Sequence, residues 1–91
     1  MIYQVFAVFD EKAAAYARPF LFSTKGEAIR AFRTSIMDPK HPFSLHAADY
    51  TLFQIAAWDD ANAQYTQLQQ PESLGKALEH KAMMAKENDR A

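Results

Sequence analysis

Apolar residues fill both alternating faces of residues 2–9, Ile2-Tyr3-Gln4-Val5-Phe6-Ala7-Val8-Phe9. They do so again over residues 50–58, Tyr50-Thr51-Leu52-Phe53-Gln54-Ile55-Ala56-Ala57-Trp58. Runs this rich in β-branched and aromatic residues, apolar on both faces, predict interior strands covered on each side. Asp10-Glu11-Lys12 ends the first run. Ala13–Ala17 has high helix propensity, but Pro19 closes it within a turn, so a loop or single helical turn is predicted. Arg18-Pro19-Phe20-Leu21-Phe22 reads as a short strand at an edge, because proline donates no ladder hydrogen bond.

After Thr24 the period changes. Thr24 and Glu27 form a capping box, in which hydroxyl and carboxylate exchange hydrogen bonds with each other's amides. Ile29, Phe32 and Ile36 then fall on one stripe beside Ala28, predicting a helix over about 25–37. Asp38-Pro39-Lys40-His41-Pro42 stops it, and a loop is expected to about Asp49. Asp59-Asp60-Ala61-Asn62 reads as a turn, with Gln64–Leu68 the second arm of a hairpin. Pro71 suits the first turn of a further helix carrying Leu74, Leu78 and Ala82 on one side. The expected fold class is α+β: a small sheet of three to four strands with the 25–37 helix and a C-terminal helix packed on it. If the strands at 20–22 and 50–58 are neighbours, the crossover between them is right-handed. One domain is expected over residues 1–85, with 86–91 a frayed tail lacking an apolar anchor.

Composition narrows the chemistry. No cysteine is present, so disulfides and thiolate chemistry are excluded. No basic stretch precedes an apolar core at the start, so no signal peptide is expected, and no apolar run approaches a membrane span. Gly26 and Gly75 are the only glycines, which leaves no glycine-rich phosphate loop and no nucleophile elbow. His41, His46 and Asp49 share one loop without rigid metal-ligand spacing, and Asp59-Asp60 reads as turn chemistry. A non-enzymatic protein with no cofactor and no metal is expected.

The net charge is −1, far from the balance of a simple nucleic-acid binder. Its distribution is uneven: residues 18–41 hold Arg18, Lys25, Arg30, Arg33 and Lys40 against Glu27 and Asp38, a local +3, which leaves −4 on the remainder. Aromatics make up 13% of the chain, and Tyr16 and Phe20 lie among these cations. Cations for phosphates and flat faces for unstacked bases are what single-stranded nucleic acid requires, so these seven residues form the candidate DNA-contacting set. Leu78, Met83 and Met84 on the C-terminal helix form a candidate partner-binding surface, including self-association as a homo-oligomer.

Beyond the physics, particular residues carry a resemblance. Phe6, Asp10, Lys12-Ala13, Tyr16 and Pro19-Phe20 are followed by Gly26-Glu27-Ala28-Ile29-Arg30 with Phe32, then Asp38-Pro39. Phe43, His46, Asp49-Tyr50-Thr51-Leu52-Phe53, Asp59-Asp60, Pro71 and Leu74-Gly75 continue the pattern. Over residues 5–78 the chain resembles the small nonstructural protein family of gokushoviruses and related Microviridae, the single-stranded DNA phages. Arg18 departs from that pattern, standing where a second proline is expected, as do Ala47-Ala48 and Ala57-Trp58. The resemblance implies a protein of the host bacterial cytoplasm, absent from the mature virion. It implies a role in single-stranded DNA synthesis or genome packaging, and no catalytic residues to carry over. Phage replication or capsid proteins, or a host factor, are the alternative partners.

Overall fold

The computed structural model describes residues 1–89. The chain runs β1 (Ile2–Asp10), β2 (Ala15–Tyr16), β3 (Phe20–Phe22), α1 (Lys25–Met37), α2 (Pro42–Leu45), a 3₁₀ turn (Ala47–Asp49), β4 (Tyr50–Asp59), β5 (Gln64–Lys76) and α3 (Ala77–Asp89). The five strands form one antiparallel sheet, one more than the expected maximum. β2 and β3 both pair with the same edge of β1, β4 pairs with its other edge, and β5 closes the far side. The strands at 20–22 and 50–58 are therefore not neighbours. β1 lies between them, because its long apolar run pairs on both edges at once.

Strand alternation divides the sheet into two faces. Phe6 and Val8 point toward the helices and build the core with Leu52, Ala28, Phe32, Ile36, Ala47 and Ala77. Phe6 and Leu52 are wholly enclosed. Half of the expected capping box forms: the Thr24 hydroxyl accepts from the Glu27 amide at 3.2 Å, whereas the Glu27 carboxylate accepts from the Ser23 and Thr24 hydroxyls rather than from the Thr24 amide. Ala28, Phe32 and Ile36 make the buried stripe of α1. On the opposite face, Val5, Ala7 and Ala56 are buried with no helix above them. Rings cover them instead. Phe9, Tyr16 and Phe53 pack edge to face, with centroids 4.9 and 5.7 Å apart, and the register adds Tyr3, Trp58 and Tyr65 to the same side. The twelve aromatics of the chain thus divide evenly between the two faces.

Three segments depart from the sequence reading. Ala13–Ala17, expected as a loop or single helical turn, turns back at Ala14 and carries β2, because Ala15 and Tyr16 pair with Asp10 and Phe9 of β1. The expected loop before Asp49 contains α2 and a 3₁₀ turn, held by His41, whose Nδ1 accepts from the Phe43 amide at 3.0 Å. Pro71 opens no helix. β5 continues to Lys76, and Pro71 lies in an excursion between Gln67 and Glu72 opposite Ile55 of β4. It sits on an edge strand and inside a bulge, the two places where a missing N–H leaves no ladder bond unmade. Leu74 consequently belongs to β5, and α3 buries Ala77, His80 and part of Met84 rather than a Leu74–Leu78–Ala82 stripe. α3 extends through Asp89, into the stretch expected to fray, while 90 and 91 lie outside the described residues.

Tyr50 packs its ring on Phe43 at 4.8 Å. Burial, then the charges of Asp10 and Asp49, push its phenol above the ordinary 10.0. A raised folded value means stabilisation that is complete below about 10 and fades as pH climbs through the folded pKa. Chemical denaturation in the alkaline range is therefore expected to lose stability less steeply in Tyr50→Phe than in wild type. Identical slopes would refute the linkage.

Candidate nucleic-acid interface

β3 pairs with β1 along one edge only, and α1 crosses in front of it. Between them runs an apolar groove of about 550 Å³, walled by Phe20 and Phe22 of β3, Ala31 and Phe32 of α1, and Phe43. Arg18 stands at its rim. Phe20 stacks on Phe6 at 5.9 Å and meets Phe22 edge-on at 5.8 Å, so the groove floor is continuous with the core. A second hollow of about 370 Å³ shares the walls Phe22 and Ala31 and is bordered by Arg30. Arg18 and Arg30, both exposed, therefore flank one ring-lined surface.

The other candidate residues separate from this pair. Lys25 forms an ion pair with Glu72 of β5 at 2.6 Å. Arg33 pairs with Glu87 at 3.3 Å, and its Nε donates to His80 Nδ1 at 3.0 Å. Lys40 is exposed in the turn after α1, and neither hollow includes it. Tyr16 faces the helix-free side of the sheet, across from Phe20. Among the described residues, no carboxylate makes an ion pair with Arg18, Arg30 or Lys40.

On α3, Leu78 and Met83 are about half exposed. Met84 instead packs against the core cluster and is not part of that outer surface. Met83 approaches Arg33, whose Nη2 lies 3.8 Å from its Sδ.

Two features went unread in the sequence. His80 is buried, 3% exposed, and ties three elements together. Its Nδ1 accepts from Arg33, and its Nε2 donates to the Leu74 carbonyl at 2.8 Å, which fixes the neutral Nε2–H tautomer. The signal was the spacing Ala77–His80–Met84 on one helical stripe. The second feature is the ring-covered sheet face, which follows from register alone. Asp59 Oδ1 accepts from the Ala61 amide at 3.0 Å, a turn contact. Among the described residues no three potential metal ligands cluster, and no helix is long and apolar enough to cross a membrane.

Neither the curated proteins nor the solved structures include a significant match to this chain. A family model does match it, that of the phage ORF5 protein, over residues 3–80, which takes in β1 through the start of α3 and both walls of the groove. The chain belongs to the phage ORF5 protein family.

Proposed function

We propose that this protein is a non-enzymatic accessory factor of a gokushovirus-type phage of the Microviridae, which contacts single-stranded DNA through the groove between β3 and α1. It acts in the host bacterial cytoplasm during single-stranded DNA synthesis or packaging and leaves no copy in the mature virion. One observation carries the reading: Arg18 and Arg30, free of carboxylate partners among the described residues, flank walls made by Phe20, Phe22 and Phe32. Guanidiniums for phosphates beside rings for bases are the two elements single-strand binding combines. The phage family and the chain's resemblance to gokushovirus nonstructural proteins supply the biological setting.

Anisotropy with a labelled oligodeoxythymidine tests it. Two neutralised phosphates contribute about −1.4 to the slope of log affinity against log salt. Arg18→Glu combined with Arg30→Glu should flatten the slope by that amount and weaken binding at low salt by roughly tenfold or more. Lys76→Gln is the control, since Lys76 lies near Glu11, 3.5 Å away. Unchanged affinity and slope in the double variant would remove the groove from the model.

The ring-covered sheet face favours a second reading, a protein partner without DNA contact. Aromatic residues are enriched at interface cores, and Tyr16 and Tyr65 are exposed there. A complex with a phage replication or capsid protein that survives nuclease and is lost in Tyr16→Asp would favour it.

A further inference from the structure

A polar pocket of about 630 Å³ lies under the N-terminus of α1, where Gln4 of β1, Gln54 of β4 and Gln69 and Gln70 of β5 meet Lys25 and Glu72. Gln54 is 6% exposed, and its Nε2 donates to Gln4 Oε1 at 2.6 Å. Its own Oε1 is buried, and no protein group donates to it. Buried acceptors without a donor are rare and mark ligand or strain sites. The wall beside it is also unusual, because the β5 excursion places four residues, Leu68–Pro71, opposite Ile55 alone. Bulges of this kind re-aim side chains next to functional sites.

We propose that this pocket receives an unpaired nucleobase, whose ring N–H or exocyclic amine donates to Gln54 Oε1 once the side chains that close this oxygen off from solvent part to admit it. Lys25 and Glu72 neutralise each other at 2.6 Å, so the walls favour neither a free anion nor a metal cation. Carboxamides present a donor beside an acceptor, the complement of the amide-like edge of a base. Gln54 Nε2 keeps one hydrogen beyond its bond to Gln4, enough for a two-point contact. The pocket also adjoins the groove, since Phe22 of β3 lies opposite Gln4 of β1 and Ser23 lines the pocket wall. The inference rests on the proposed DNA contact only for the source of the base; the recognition chemistry is the same for a free nucleoside.

Side-chain amide NMR separates these sources. Adenosine, which carries no phosphate, is expected to shift the Gln54 amide pair and the backbone of Gln69 and Gln70 saturably, with little dependence on salt. N6,N6-dimethyladenosine, which lacks the amine hydrogens, is expected to bind at least tenfold more weakly. An oligodeoxyadenosine that shifts Gln54 where adenosine does not assigns the base to a DNA strand. Gln54→Leu removes the unpartnered acceptor but also the bond to Gln4, two opposing effects that should leave the melting temperature within a few degrees of wild type while abolishing the response to both probes. Gln70→Ala, at the exposed rim, gives an independent variant expected to weaken binding without touching the core. The idea fails if Gln54 responds to neither probe at millimolar concentration, if Gln54→Leu binds adenosine unchanged, or if N-acetylglycinamide binds there and adenosine does not. Loss of DNA affinity on charge reversal at Arg18 and Arg30, with adenosine binding intact, would leave this proposal standing on its own.

Discussion

Gly75→Ala is expected to destabilise the protein by about 2–4 kcal/mol, a large share of a small domain's total stability. Gly75 turns β5 into α3 at φ +107°, a region that L side chains rarely enter. Space is also lacking: a Cβ at this position would lie 2.8 Å from His80 Nε2, the atom that donates to the Leu74 carbonyl. Relief requires His80 to move, and His80 is held on its other side by Arg33 and by the edge of the Phe32 ring at 5.6 Å. Thermal unfolding followed by circular dichroism should show a fall of roughly 10–25 °C, at about 4–8 °C per kcal/mol for this size. Gly26→Ala is the matched control. Its Cβ would meet only Thr24 Oγ1 at 3.8 Å, and it sits inside a helix, where alanine is favoured. A Gly75→Ala protein that melts within a few degrees of wild type would refute the account of the β5–α3 junction.

Phe6→Ala is expected to cost about 3–5 kcal/mol. Phe6 is wholly buried at the centre of β1, stacked on Phe20 and enclosed by the α1 stripe. The cavity left behind cannot collapse easily, because its walls belong to a strand paired on both edges and to the helix above it. Urea denaturation is the measurement, with an unchanged m-value showing that the folded state remains compact. Tyr65→Ala gives the contrast. Tyr65 is half exposed on the ring-covered face and should change stability by no more than about 0.5 kcal/mol. Comparable losses in the two variants would mean that the helix face does not hold the main core.

Local chemistry made some of this fold legible, and long-range geometry hid the rest. The α1 start could be read because its capping box lies within four residues, and β1 because its apolar run has no helical alternative. Pro71 misled because the same residue suits the first turn of a helix and an edge bulge, and only the pairing of β5 with β4 decides between them. Residues 42–49 lack an apolar period long enough to announce two short helical turns. The candidate site fared similarly. Tyr16 and Phe20 are four positions apart, yet the turn between β2 and β3 sends them to opposite sides of the sheet. Lys25 and Arg33 find carboxylates 47 and 54 residues away, which no local charge count could foresee. What survives as an accessible cationic surface is narrower than the basic segment, namely Arg18 and Arg30 beside the phenylalanine groove.

Backbone amide mapping with oligodeoxythymidine tests that surface most directly. The account predicts shifts concentrated at residues 18–22 and 27–35, the two walls of the groove, which weaken together as salt rises. Shifts gathered instead around Phe9, Phe53 and Trp58 on the helix-free face, or no shifts at all, would contradict it.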